Sequence, residues 1–111
     1  MILLLKKKFL VIDVETAGGL DNPLVYDVGG VVIDKKGKIY EQFSFVVDEI
    51  FYGQKELMQS AYYAEKIPQY KVDLFKGKRR VATFWQLQNF IRYLIAKYGI
   101  TVWLAYNARF D

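Results

Sequence analysis

The chain has 111 residues, enough for one small domain with its own core and too few for two. Hydrophobic residues make up 53% and aromatics 17%, which excludes a disordered chain, and a net charge of +4 permits a polyanionic partner without requiring one. Cysteine and histidine are both absent, which excludes disulfides, thiolate metal sites and the commonest general base and zinc ligand.

The opening Leu3-Leu4-Leu5 stretch is too short for a signal peptide, and Lys6-Lys7-Lys8 follow it where a signal would have its charges first. No stretch approaches the roughly 18 apolar residues of a membrane span, so no membrane contact is expected, and the absence of cysteine fits a reducing, cytoplasmic location. Phe9 to Val14 reads as a buried strand, rich in β-branched residues and ended by Gly18-Gly19. Val25 to Ile33 reads as a second strand, and the polar Asp34-Lys35-Lys36-Gly37-Lys38 turn joins it as a hairpin to a third, Ile39 to Val47. Residues 54–66 follow a helical period until Pro68 interrupts, and residues 69–75 suggest another short helical piece. Lys76 to Arg80 reads as a basic loop. The clearest helix spans 84–98, with Thr83 as N-cap, an apolar stripe through Leu87, Phe90, Ile91 and Leu94, and Gly99 as its stop. Ile100 to Tyr106 reads as a fourth strand, able to lie parallel beside the first by a right-handed crossover. The expected architecture is an α/β layer domain, with three antiparallel strands, helices, and a parallel fourth strand.

Two short acidic motifs punctuate this pattern: Asp13-Val14-Glu15-Thr16 at the end of the first strand, and Asn107-Ala108-Arg109-Phe110-Asp111 after the fourth. Carboxylates set into buried strands cost several kcal/mol each, on the order of the desolvation of an ion, unless paired, hydrogen-bonded or metal-bound. A divalent cation is the leading neutraliser. Asp13 and Glu15, two apart on a strand, point to one face roughly 6–7 Å apart and can converge on one ion. If the fourth strand neighbours the first, Asp111 arrives at the same sheet end. Hard oxygen ligands without Cys or His select Mg²⁺ or Mn²⁺ over zinc. Clustered carboxylates holding two such ions are the machinery of phosphoryl transfer. Taken singly, Asp13 also fits a strand-end carboxylate that caps a loop or pairs with a lysine, and Asp111 fits a helix N-cap.

Together the motifs resemble the DEDD (DnaQ-like) superfamily of 3′→5′ exonucleases, of bacterial and phage type. The resemblance rests on Ile12 to Gly18 as a first motif and Asn107 to Asp111 as a second, with Tyr26 to Ile33 similar to the family's second strand. Spanning residues 9–111 of a single partial domain over 1–111, it implies a ribonuclease-H-like fold and metal-dependent hydrolysis of phosphodiesters at DNA or RNA 3′ ends, with two Mg²⁺ or Mn²⁺ ions in the complete site. Asp13 would bridge both ions, Glu15 would bind the ion that activates water, and Asp111 would bind the second. Thr16 and Ala17 would offer backbone contacts to the terminal nucleotide, and the loop to Leu20 would flank its base. Asn107 and Phe110 would brace the second motif or touch substrate, with loop hydrogen bonding and core packing as equal alternatives.

The family also uses a third motif, which supplies a fourth carboxylate and a His or Tyr base downstream of the second. No residue here follows Asp111. The expectation is a partial exonuclease domain, truncated before the last strand and helices and inactive as this isolated chain. Three accounts follow: an N-terminal piece of a longer exonuclease, a short protein that acts as a non-catalytic nucleic-acid- or protein-binding module, or a domain completed by another chain. The exposed edge of the fourth strand would then favour self-association or that completing chain. Lys76, Lys78, Arg79 and Arg80 could hold substrate phosphates or form a solvated loop. Phe84, Trp85, Phe90, Tyr62 and Tyr63 are better read as core than as base-stacking residues.

Overall fold

The computed structural model describes residues 7–18, 22–61 and 64–105. Three long strands come first: β1 (Lys8–Ala17), β2 (Leu24–Asp34) and β3 (Ile39–Val47). Two short helices follow, α1 (Asp48–Phe51) and α2 (Lys55–Gln59), then a 3₁₀ turn at Ala64–Lys66 and helix α3 (Ile67–Phe75). A three-residue strand, β4 (Arg80–Ala82), precedes the long helix α4 (Phe84–Tyr98), and β5 (Val102–Ala105) closes the order. All five strands form one mixed sheet in the order β4-β3-β2-β1-β5. β1 with β2 and β2 with β3 are antiparallel, whereas β5 lies parallel to β1 and β4 parallel to β3.

Local chemistry explains the boundaries. The Asp34 carboxylate accepts from the backbone N–H of Lys36 at 2.8 Å and of Lys38 at 3.0 Å, which fixes the hairpin turn. Helix α4 starts on a capping box: the Thr83 hydroxyl accepts from Gln86 N–H, and the Gln86 side chain accepts from Thr83 N–H. It stops at Gly99, whose φ of 61° is left-handed and whose N–H returns to the Ile95 carbonyl.

The sequence-based expectations need correction at several points. Trp85 and Phe84, read as core, are 71% and 38% exposed, because both lie in the first turn of α4 off its buried stripe of Leu87 and Leu94. Among the described residues the sheet has five strands, because Arg80, the last residue of the expected basic loop, extends with Val81 and Ala82 and pairs with Phe45–Val47; three residues carry no readable period. The helix expected over 54–66 breaks after Gln59: Ser60 turns back, its hydroxyl donating to the Leu57 carbonyl at 2.7 Å, in competition with the helical ladder. Pro68 begins a helix instead of interrupting one, because in the first turn of α3 its missing N–H is not needed. The last strand is shorter, Val102–Ala105, and Tyr106 lies outside the described residues.

One face of the sheet is covered by α4. Phe90 packs edge-on against Phe43 and Phe45, each at 5.2 Å between ring centres, and Leu87 and Leu94 are buried beneath it. Gly30 is required there, since a Cβ would overlap the Phe43 ring. On the other side α3 delivers Tyr70 against Tyr26 and Phe51, in edge-on contacts of 6.0 and 5.8 Å. Much of the remaining sheet face, from Val11 to Gly29 and Gln42, stays open. No described helix is long and apolar enough to cross a membrane.

Candidate functional site

The open face carries three carboxylates on two neighbouring strands. Asp13 stands opposite Gly29 and Glu15 opposite Asp27 in the β1–β2 ladder. Directly opposed residues, and residues two apart, share a face, so Asp13, Glu15 and Asp27 point the same way. The register then steps from Glu15↔Asp27 to Thr16↔Val25, a β-bulge with Tyr26 as the extra residue. The three acids border a cleft of about 270 Å³ whose other wall is α3 and the loop after it: Lys66, Gln69, Tyr70, Asp73 and Arg79. A shallower groove along Val11, Gly29 and Val31 adjoins Asp13 on its other side.

The energetic roles of these acids differ from the expectation that the motif carboxylates are the costly buried ones. Asp13 is exposed and Glu15 half-buried, so hydration relieves much of their charge. The buried carboxylate is Asp27, 8% exposed. Its partners are protein groups: Asp27 Oδ2 accepts from the Tyr70 hydroxyl at 2.7 Å and pairs with Arg79 Nη1 at 3.1 Å. Arg79 also reaches Ser44 Oγ and Asp73, and its guanidinium lies 4.2 Å over the Tyr70 ring. Gln69 holds Asp73 from its other oxygen. This clasp locks α3 onto β2 and β3 and fixes the cleft's second wall.

Burial raises the Asp27 carboxyl above the ordinary 3.8; the Tyr70 hydrogen bond and Arg79 oppose that rise, and the charge of Asp13 adds to it. Burial, with the bond to Asp27 next, holds the Tyr70 phenol well above its ordinary value. Tyr70 therefore stays protonated and serves as a donor to Asp27 rather than as a base. Asp73 is held below the ordinary carboxylate value by Gln69, with Arg79 assisting.

The structure brings Asp13 and Glu15 together on one cleft. Thr16 is half-buried and Ala17 is part of the core, and neither lines that cleft. Leu20, Asn107, Phe110 and Asp111 lie outside the described residues. β5 does run parallel beside β1, and Ala105 stands opposite Ile12, one residue short of Asp13. Among the described residues no three His, Cys, Asp or Glu side chains form a metal-ligand group; the other two acids at the cleft are bonded to protein partners, Asp27 to Tyr70 and Arg79 and Asp73 to Gln69 and Arg79. The Asp27–Tyr70–Arg79 clasp was not anticipated from sequence. Its one local signal is an aspartate inside the otherwise apolar run Leu24–Val28, since Tyr70 and Arg79 are more than 40 residues away in the chain.

No protein-family model, curated protein or solved structure matches the chain.

Proposed function

We infer that this α/β domain carries the first part of a metal-dependent 3′→5′ exonuclease site on a ribonuclease-H-like scaffold. The observation that carries the inference is the placement of Asp13 and Glu15 on one face of β1, at one cleft, with β5 parallel to β1, paired as far as Ile12 and directed toward the same end of the sheet. That is the arrangement a pair of acidic motifs on adjacent parallel strands needs to meet.

The donor set suits the implied ion. Asp13 and Glu15 offer hard oxygens at the mouth of an open cleft, and the chain has no Cys or His. Magnesium keeps several waters and is commonly held by one or two carboxylates together with substrate phosphates, so two protein ligands are a workable nucleus and Asp111 a candidate third. Asp13 and Glu15 would hold the ion, whose chemistry when bound is to supply a water of lowered pKa and to neutralise charge on the phosphate. The chain's own residues bring the rest. Asp27, tied to Arg79, is withheld from the ion. Tyr70 keeps its proton, and the rigid α3 wall sets the width of the cleft.

A second account, a non-catalytic nucleic-acid- or protein-binding module, draws support from Lys66, a cation that lines the same cleft beside the Asp27- and Asp73-paired Arg79. Magnesium-dependent digestion of a 3′-labelled strand by the full-length gene product separates the two. Stepwise release of mononucleotides, lost in Asp13→Ala and in Glu15→Ala, is the expected result. Digestion that both variants carry out as well as the native protein would remove these residues from the site, and binding without any digestion would favour the module.

A further inference from the structure

The turn that supplies Arg79 to the cleft has a second, outward side. Residues 71–80 contain five basic side chains and one acid, a balance of +4 that equals the net charge of the whole chain. The acid, Asp73, and one of the cations, Arg79, are consumed by their mutual pairing. Lys71, Lys76, Lys78 and Arg80 are exposed. Among them stands Phe75, 92% exposed, the most exposed of the large hydrophobic residues described. It ends α3 one helical turn after Lys71 and beside Val72, which is itself 42% exposed.

This segment is held firmly. Lys78 N–H and Arg79 N–H both donate to the Asp73 carbonyl, at 2.9 and 3.3 Å, and Lys76 and Gly77 close onto Val72 and Leu74. Gly77 takes the positive φ of 76° that the reversal needs. Arg79 then bolts the turn to Asp27, Ser44 and Asp73. The turn therefore presents an apolar ring to water from a fixed frame, in a segment that also exposes four cations. On its far side Lys78 and Arg80 border a groove of about 330 Å³ together with Glu41, Gln42, Ser44 and Phe90, the Glu41 carboxylate being paired with Lys97.

The geometry points to this turn as a docking surface for single-stranded nucleic acid, with an unpaired base stacked on Phe75 and phosphates held by Lys76, Lys78 and Arg80. A flat aromatic face fits any base, and the exposed cations of the same segment complement a polyanion; together they are the elements of sequence-tolerant single-strand binding. A duplex, whose bases are already stacked, offers Phe75 nothing. An acidic protein would complement the charge but would leave the ring without a matched partner. The turn's inner residue, Arg79, lines the carboxylate cleft, so a strand seated outside passes directly to it. In this respect the proposal rests on the exonuclease function inferred above.

The test is fluorescence anisotropy of a labelled oligothymidylate on the full-length gene product in EDTA, where no digestion occurs. Phe75→Ala is expected to weaken binding roughly five- to hundredfold, and Phe75→Trp to restore it. The ring is exposed, so both variants fold, which circular dichroism checks. Replacing Lys76, Lys78 and Arg80 by Gln is expected to lower the slope of log affinity against log salt by about 2. Unchanged binding by Phe75→Ala overturns the proposal. So does duplex bound as tightly as single strand, or polyglutamate competing as well as the oligonucleotide. Because the assay contains no metal, Phe75-dependent binding by a protein that never digests a strand would sustain this surface and sink the exonuclease inference alone. Digestion without Phe75-dependent binding would do the reverse.

Discussion

Arg79→Met tests the clasp that shapes the cleft. The substitution keeps most of the side-chain volume and removes the only cation bonded to Asp27 among the described residues. Breaking a buried pair by deleting one partner costs about 3–5 kcal/mol; Arg79 and Asp27 keep 27% and 12% of their side-chain exposure, which lowers the expectation to about 2–3 kcal/mol. For a chain of this size that is a fall on the order of 10 °C in Tm.

The pH dependence gives a second, independent signature. Burial already raises the Asp27 carboxyl above 3.8 in the folded protein. The stability this group contributes is therefore fully present below that value and lost as pH rises through the folded pKa. Without Arg79, Tyr70 is the one remaining group among the described residues that offsets the burial, so the loss deepens and extends to higher pH. Asp73, held low by Gln69 first and by Arg79 second, gives a contribution present at neutral pH and lost in acid, and Arg79→Met forfeits the part that Arg79 supplies. Both effects make the variant's deficit largest at pH 7 and smallest near pH 4. Urea unfolding at the two pH values measures this, and Asp27→Asn combined with Arg79→Met should recover part of the deficit, with a coupling of at least about 1 kcal/mol. A variant within about 0.5 kcal/mol of the native protein at pH 7, or a deficit that does not change with pH, would refute the reasoning.

Two further outcomes follow from the packing. Thr83→Ala removes half of the capping box of α4 and should cost about 1 kcal/mol, read from the urea midpoint at unchanged m. Gly30→Ala forces a methyl into the Phe43 ring and to 2.9 Å from the Val11 carbonyl, so it should destabilise by about 1–3 kcal/mol; an unchanged midpoint would show that Phe43 has another place to go.

The parts of the fold legible in sequence are those specified by local chemistry. The three-strand meander, the Asp34 turn and α4 with its Thr83 start and Gly99 stop are encoded by period, turn residues and caps within a few positions of where they act. β4 was illegible because its three residues acquire their conformation from pairing with Phe45–Val47. The break after Gln59 was masked by apolar spacing that continues past Ser60. At the site, the alternation of Asp13 and Glu15 could be read as a shared face, because a strand's period is local. Their burial could not, since it depends on which elements cover that face. The same desolvation argument, applied before the covering elements were known, pointed to Asp13; it belongs to Asp27, whose partners arrive from α3 and the turn after it.

The central claim is that Asp13 and Glu15 hold a divalent cation in the cleft. Its most direct test is electron paramagnetic resonance of Mn²⁺ titrated into the full-length gene product, with Mg²⁺ as competitor, against Asp13→Asn and Glu15→Gln. The account predicts a bound Mn²⁺ signal, displaced by Mg²⁺, that weakens at least tenfold in each variant. Mn²⁺ affinity that is the same in the native protein and in both variants would contradict it.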